Sequence, residues 1–405
     1  MRDAIVRVLM ISDVFFPRIN GVSTSIETFR RDLNRLGHDT LLIAPDYPQG
    51  SQSQDATIRR VRSRYVPRDP EDRMMRRGEI RRLLPELAAK RFDLVHIQTP
   101  FIAHYAGLEL ARRLGVPTVE TYHTYFEEYL HHYVPLLPAA LTRLLARRFT
   151  CSQANSVDRL IAPSRAMHDA LVDYGVRTPI AVIPTGLESD RFEPGDGARF
   201  RARFAIPADR PVLVHVGRIA HEKNIDFLLR MLVTVRAQIP DILLLIAGEG
   251  PALPHCRRLA ANLGLDGNVL FTGYLDRRRE LLDCYRAGDL FVFASRTETQ
   301  GLVLLEAMAQ GVPAVSTAHM GTIDVLGPGR GCAVVEEQEH LFAAEVVSLM
   351  NDSVARRRLG CDAQAYAATW SAHELAIRLI DLYREMIGRV AHSSRQASAP
   401  AIQSR

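Results

Sequence analysis

The chain has 405 residues, 47% apolar and 24% charged, globular values with room for two domains that each bury a core. Its formal charge is only +5 but unevenly placed: residues 1–186 carry 26 Lys/Arg against 20 Asp/Glu, and the rest 25 against 26, an excess that suits an anionic partner such as a membrane surface and equally a soluble arginine-rich face. The cysteines Cys151, Cys256, Cys284, Cys332 and Cys361 are scattered, odd in number and without a C-x-x-C pair, which argues for a reducing compartment and against a structural zinc. No apolar stretch reaches the ~18–20 residues of a membrane span. The apolar run 4–11 is short and leads directly to Asp13, unlike a signal peptide. A cytoplasmic protein is expected, peripheral on the inner face of the cell membrane.

Residues 6–12 form an apolar strand. The loop 13–21 holds Phe15, Phe16, Pro17 and the turn signal Asn20-Gly21. A helix follows, with Thr24 and Glu27 at capping-box spacing, and ends at Leu36-Gly37. Residues 40–44 are the next strand, so the chain opens as a β-loop-α-β unit of the doubly wound type. The loop lacks G-x-G-x-x-G, which speaks against a dinucleotide. Asn20-Gly21 can be an ordinary turn; its place after strand one and before a helix favours a ligand loop.

Ten arginines lie between Arg59 and Arg82, with Met74 and Met75 among them, against four acids. The segment 70–89 is expected to be helical. A solvated helix face is its plain reading, and contact with anionic lipid the sharper one. Residues 92–97 and 116–121 read as strands, with a helix between them ending at Leu114-Gly115. The second of these strands runs into Thr121-Tyr122-His123-Thr124-Tyr125-Phe126-Glu127-Glu128-Tyr129-Leu130-His131-His132-Tyr133. Aromatics, histidines and acids this dense at a strand end suggest a site, and His123 stands out by position. The helix 139–149 sets Leu141, Leu144 and Leu145 against Arg143, Arg147 and Arg148; it packs on a core or lies in a lipid interface. Strands at 160–164 and 180–184 follow, and the polar run 188–197 reads as an inter-domain linker.

The second half repeats the plan. Strand 211–216 leads to Gly217, Arg218 and Lys223, then a helix from about Ile225. Strand 242–247 leads to Gly248-Glu249-Gly250, a weak phosphate signature because Leu253 stands where a third glycine belongs. Residues 269–271, 290–293 and 313–316 are strands, with a helix over 277–287. Arg218 and Lys223 stand just past a strand end, where cations can clamp a diphosphate. Residues 342–359 and 372–388 are expected to be helical, and 391–405 disordered.

The densest stretch runs from Ser295 to Pro313. Glu298 sits in the loop after a strand, where open α/β sheets bind ligands. Gly301 opens a helix that Gly311 closes, and Glu306 lies eight positions beyond Glu298. The amides from Thr299 to Leu302 begin that helix and favour an anion.

Taken together, Arg218 with Lys223, Gly248-Glu249-Gly250, Phe271-Thr272-Gly273-Tyr274 and Glu298-x7-Glu306 resemble a retaining glycosyltransferase of family 4 in order and rough spacing, to about residue 390. The resemblance implies the α/β GT-B fold, two Rossmann-like domains facing a cleft, with the C-terminal helix crossing back to the first. The implied domains are 1–186 for the acceptor, 187–367 for the nucleotide sugar, 368–390 for the returning helix, and a tail. Carried over by position, Arg218 and Lys223 would neutralise the donor diphosphate, with Gly217, Gly248, Thr299, Gln300, Gly301 and Leu302 around sugar and phosphate. Glu298 would hold sugar hydroxyls, Glu306 the ribose, and Gly273-Tyr274 would border the base. Asn20, Gly21 and Val22 would cover the diphosphate, and His123 would approach the sugar's C6 hydroxyl. No metal cofactor is expected, since the sequence has no Asp-x-Asp motif.

Gln300, where many relatives have Phe, together with Tyr122-His123-Thr124 and the cluster after it, resembles the branch that glycosylates diacylglycerol. Tyr122, Tyr125, Glu128 and His131 are the implied acceptor contacts. The expected partners are a nucleotide-sugar donor, UDP-glucose or UDP-galactose, and a lipid at an anionic membrane, with no nucleic acid. Family 4 also builds polysaccharides, lipopolysaccharide cores and phosphoinositide mannosides. A GT-B nucleotide-sugar epimerase and a silent membrane-binding homologue are the other classes; the intact Glu298-x7-Glu306 argues against the first, and the intact Arg218, Lys223, Glu298 and Glu306 against the second.

Overall fold

The computed structural model describes residues 4–18, 20–47, 55–66, 69–123, 139–277 and 279–397. The chain folds into two compact units, Met1–Thr185 with Ala372–Arg405, and Gly186–Ser371. The first contains β1 (Arg7–Ile11), β2 (Asp39–Pro45), β3 (Ile58–Val61), β4 (Ser63–Val66), β5 (Asp69–Met75), β6 (Leu94–Ile97), β7 (Thr118–Thr121), β8 (Arg159–Ala162) and β9 (Ile180–Val182). Seven of these pair in parallel in the order β3-β2-β1-β6-β7-β8-β9, and β4 and β5 form a separate antiparallel ribbon. Val8, Leu9, Met10 and Ile11 are all fully buried, as a parallel strand covered on both faces requires. The Gly21–Arg35 helix buries Ile26, Phe29 and Leu33 in one core, and the Ala372–Ala397 helix adds Leu375, Leu379, Ile380 and Tyr383 to it. Each such side chain contributes ~1.5–3 kcal/mol.

The second unit contains β10 (Val212–Val216), β11 (Leu243–Ala247), β12 (Val269–Gly273), β13 (Leu290–Phe293), β14 (Ala314–Ser316) and β15 (Cys332–Val334) in the order β12-β11-β10-β13-β14-β15, parallel throughout. In each sheet the order reverses beside the first strand, between β1 and β6 and between β10 and β13. The loops leaving those strand ends part in opposite directions and open a crevice for a ligand.

Several expectations are corrected. Residues 70–89 are not one helix: β5 is followed by short helices Arg77–Arg82 and Leu84–Ala89. Cross-strand pairing overrides local propensity there, with Arg73 bonded to Ser63 Oγ at 3.0 Å and stacked over Tyr65. The first helix begins at Gly21. Its cap is Asn20, whose Oδ1 accepts from Ser23 N at 2.8 Å, while Glu27 pairs with Arg30 instead of closing a capping box. The stretch 188–197 is not a linker but part of the second unit: it holds the turn Ser189–Phe192, and the Gln310 side chain accepts from Gly195 N and donates to Arg191 O. Residues 342–359 divide into helices Glu339–Asn351 and Ser353–Ala368, because the Asp352 carboxylate caps the second one. The last helix continues to Ala397, inside the tail expected to be disordered.

Candidate functional site

In the second unit the loops after β10 and β13 flank the switch point and carry Arg218, Lys223 and Glu298. Lys223 Nζ lies 2.5 Å from Glu298 Oε1, with the two side chains 17% and 20% exposed. Arg218 Nη1 stands 3.9 Å from Glu222 Oε1. The Glu298 backbone is pinned, since Gly321 N donates to its carbonyl at 2.8 Å. A Cβ on Gly321 would come within 2.0 Å of Thr299 O, so that approach demands glycine. Gly301, at φ +90°, precedes the Leu302–Ala309 helix and supplies no side-chain cap. The first amides of that helix are therefore suited to an anion, with Thr299 and Leu302 partly exposed and Gln300 buried. Gly248 (φ +139°) passes where a Cβ would lie 1.9 Å from Gly217 O, and its N–H donates to Gly273 O at 2.9 Å. The ends of β10, β11 and β12 thus converge, and Tyr274 stands exposed beside them.

Glu306 is buried and engaged on both oxygens: Tyr285 Oη donates to Oε2 at 2.9 Å, and Arg277 pairs with Oε1. Burial and the adjacent Glu306 push the Tyr285 phenol well above its ordinary range. Sequence reasoning missed both partners, which lie in another helix and the loop before it. It also missed His215 in β10, fully buried, whose Nδ1–H donates to Val292 O at 3.1 Å, while Nε2 meets no hydrogen-bond partner among the described residues. Burial lowers its pKa to about 4.

In the first unit, Asn20 serves as a helix cap, with Gly21 exposed and Val22 packed against the core. His123, just past β7, donates from Nε2 to Gln98 Oε1 at 3.1 Å. It is seated deeply enough for burial to lower its pKa to about 4, with part of the residue still accessible. Tyr122 turns inward, its hydroxyl 3.0 Å from Thr150 Oγ1, so it braces the strand end from within. Tyr125, Glu128 and His131 lie outside the described residues. Asp13, also unforeseen, follows β1. Its Oδ2 accepts from Ala103 N and Thr99 Oγ1, both at 2.9 Å, which caps the Ile102–Leu114 helix. Burial pushes its pKa up to about 7 against those hydrogen bonds.

The surface of the same unit is apolar and basic. Leu141, Leu144, Leu145 and Phe149 are exposed on the Ala139–Ala154 helix. Beside the β4–β5 ribbon a cavity of about 600 Å³ is lined by Arg64, Met74, Met75, Arg76, Arg77, Gly78 and Ile102. Among the described residues no helix is long and apolar enough to cross a membrane, and no three His, Cys, Asp or Glu side chains are grouped to hold a metal.

Two parallel, doubly wound units of this kind define the GT-B class of transferase. Residues 19–191 match the family model described as Glycosyltransferase Family 4, and residues 196–366 that of Glycosyl transferases group 1. The alpha-monoglucosyldiacylglycerol synthase of Streptococcus pneumoniae is 32% identical over 318 residues, 76% of this chain and 70% of that protein. A GDP-mannose-dependent alpha-mannosyltransferase of Mycobacterium tuberculosis is 30% identical over 364 residues, 86% of this chain and 89% of that protein. The chain belongs to glycosyltransferase family 4 and is a glycosyltransferase. Its fold matches that of Anabaena HepE, solved with UDP and glucose, at a TM-score of 0.75 and 16% identity, over 94% of this chain and 100% of that one. It matches a Thermosynechococcus elongatus sucrose-phosphate synthase at 0.74 and 22%, over 95% and 100%.

Proposed function

We propose that this glycosyltransferase moves a hexose from a nucleotide-diphosphate sugar, UDP-glucose or UDP-galactose, to a membrane lipid, diacylglycerol, with retention of anomeric configuration. The observation that carries the reading is the Lys223–Glu298 contact of 2.5 Å beside the uncapped start of the Leu302–Ala309 helix. A diphosphate resting on those amides draws Lys223 Nζ to its oxygens and frees Glu298 for the sugar hydroxyls. Arg218 adds a second cation. As the bond from sugar to phosphate breaks, negative charge grows on the leaving diphosphate, and preorganised cations and amides stabilise it. The absence of Asp-x-Asp from the sequence fits neutralisation by these groups without a metal. Glu298 is committed to hydroxyls and no other carboxylate is assigned to the anomeric carbon, which favours front-face attack over a covalent glycosyl-enzyme.

The likeness to a diacylglycerol-glycosylating relative and the basic, leucine-bearing surface of the first unit support a lipid acceptor at an anionic membrane. The M. tuberculosis relative supports a second reading, with GDP-mannose as donor. Incubation with labelled nucleotide sugars, with and without diacylglycerol vesicles, tests both. Label in the organic phase from a UDP-hexose is expected. Label from GDP-mannose alone selects the second reading, and transfer only to soluble glycans sinks the lipid acceptor.

A further inference from the structure

Strands β6 and β7 pair in parallel with Val95↔Thr118, His96↔Val119 and Ile97↔Glu120. Side chains alternate across a sheet, so His96 and Gln98 share one face of β6, and Thr121 and His123 share one face of β7 and its continuation. The two pairs meet. His96 Nε2 lies 2.7 Å from Thr121 Oγ1, and His123 Nε2 lies 3.1 Å from Gln98 Oε1. At the far end His96 Nδ1 is 2.7 Å from the hydroxyl of Tyr383, on the Ala372–Ala397 helix. Tyr383, His96 and Gln98 are at most 3% exposed. This is a ladder of polar side chains through an apolar sheet, and such groups are costly to bury unless each is paired.

The Gln98–His123 rung admits one tautomer. An amide oxygen only accepts, so His123 Nε2 carries the hydrogen and Nδ1 keeps a lone pair. The Gln98 main chain is anchored by its backbone N–H, which donates to Ile11 O at 2.9 Å. Burial alone lowers His123, with no charged side chain contributing. The titratable group that senses His123 is His96, which burial, and then His123 itself, lower to about 3. Both imidazoles are neutral at pH 7.

We propose that Gln98 is a positioning residue that fixes His123 as a neutral imidazole protonated on Nε2, with Nδ1 offered as the acceptor for a sugar hydroxyl, and that Tyr383 braces the ladder from the returning helix. The hydroxyl rests on the proposed function; the tautomer does not. A bare Nδ1 accepts from a hydroxyl and offers nothing to a phosphate or carboxylate, which have no hydrogen to give.

Nitrogen-15 spectra of the histidine rings in the full chain at pH 7 should show His123 protonated on Nε2; protonation on Nδ1, or on both nitrogens, overturns the proposal whatever the enzyme transfers. The Gln98→Glu variant places a carboxylate against Nε2–H, which raises the imidazole pKa. In turnover of labelled nucleotide sugar its acid limb should move up by at least about one pH unit. Gln98→Met, which deletes the acceptor, should lower kcat about tenfold with KM little changed, and Tyr383→Phe should lower it less, roughly threefold. Folded variants of Gln98, matched to the parent in melting temperature, that keep its kcat and pH profile overturn the positioning role. If they do not fold, the ring spectra of the parent still decide the tautomer. If no donor is turned over, the proposed function fails and those spectra stand on their own.

Discussion

In the second unit the switch-point loops hold charge in pairs, Lys223 on Glu298 and Arg218 near Glu222, and the helix after the second loop adds Glu306, paired with Arg277. In the first unit the matching strand ends hold polar groups without charge, His123 on Gln98 and His96 between Tyr383 and Thr121. The two arrangements respond to different things. An ion pair that keeps part of its surface in water can yield to a competing anion, so the partly exposed Lys223–Glu298 pair can exchange partners with a diphosphate. A neutral buried pair has no charge to exchange, and acts through the direction of its hydrogen bonds. On the proposed function, the charged pairs of the second unit would serve the leaving group, and the neutral pairs of the first unit would read a hydroxyl.

The comparison can be broken at its deepest charge first. Glu306→Ala leaves the buried Tyr285 hydroxyl and the partly exposed Arg277 without their carboxylate and should cost ~3 kcal/mol, the low end for breaking a buried pair, read as a lower denaturant midpoint; an unchanged midpoint would show that Glu306 is held for ligand and not for the fold. Next comes the exchangeable pair. Lys223→Ala should lower turnover by ~10²–10³ in labelled-sugar assays with little loss of stability. Parental turnover in both Lys223→Ala and Arg218→Ala would remove the diphosphate clamp from the proposed function.

Asp13 extends the comparison within the first unit. Burial raises its folded pKa to about 7, above the ~3.9 of an unfolded chain. Between those values the folded protein keeps a proton that the unfolded chain has lost. The contribution of Asp13 to stability is then greatest below about pH 4 and falls by up to ~1.4 kcal/mol per unit as pH rises to 7. Asp13→Asn abolishes that slope, so its urea midpoint should gain on the parent from pH 4 to 7 and run level above. Parallel curves would mean that Asp13 stays ionised throughout. The smallest effect is at the surface: Arg147→Ser should weaken partitioning to anionic vesicles about fivefold, ~1 kcal/mol, and binding indifferent to lipid charge counts against a membrane-facing helix.

Much of the fold was legible because parallel strands buried on both faces read as apolar runs closed by glycine or polar loops. β1, β10 and β13 all carry that signature. The ribbon was not: Asp-Pro-Glu-Asp-Arg-Met-Met has no alternation, and β5 exists because β4 pairs with it and Arg73 reaches across. The candidate site was legible as residue types at strand ends, which drew attention to Lys223, Glu298 and His123. Their partners were not, because contacts such as Gln98 to His123, 25 positions apart, or Lys223 to Glu298, 75 apart, follow from sheet register and loop packing. Glu306 is the clearest case. Its spacing from Glu298 was visible, whereas the Arg277 and Tyr285 that hold it come from elements with no shared motif.

The returning helix also sets a timetable for synthesis. Leu375, Leu379 and Tyr383 complete the core of the first unit, yet they leave the ribosome only after all of Gly186–Ser371, which is contiguous and forms its own core. At ~5–20 residues per second this delay is on the order of ten seconds or more. Through that interval the first sheet keeps an apolar face uncovered, so the unit begun first is the one finished last.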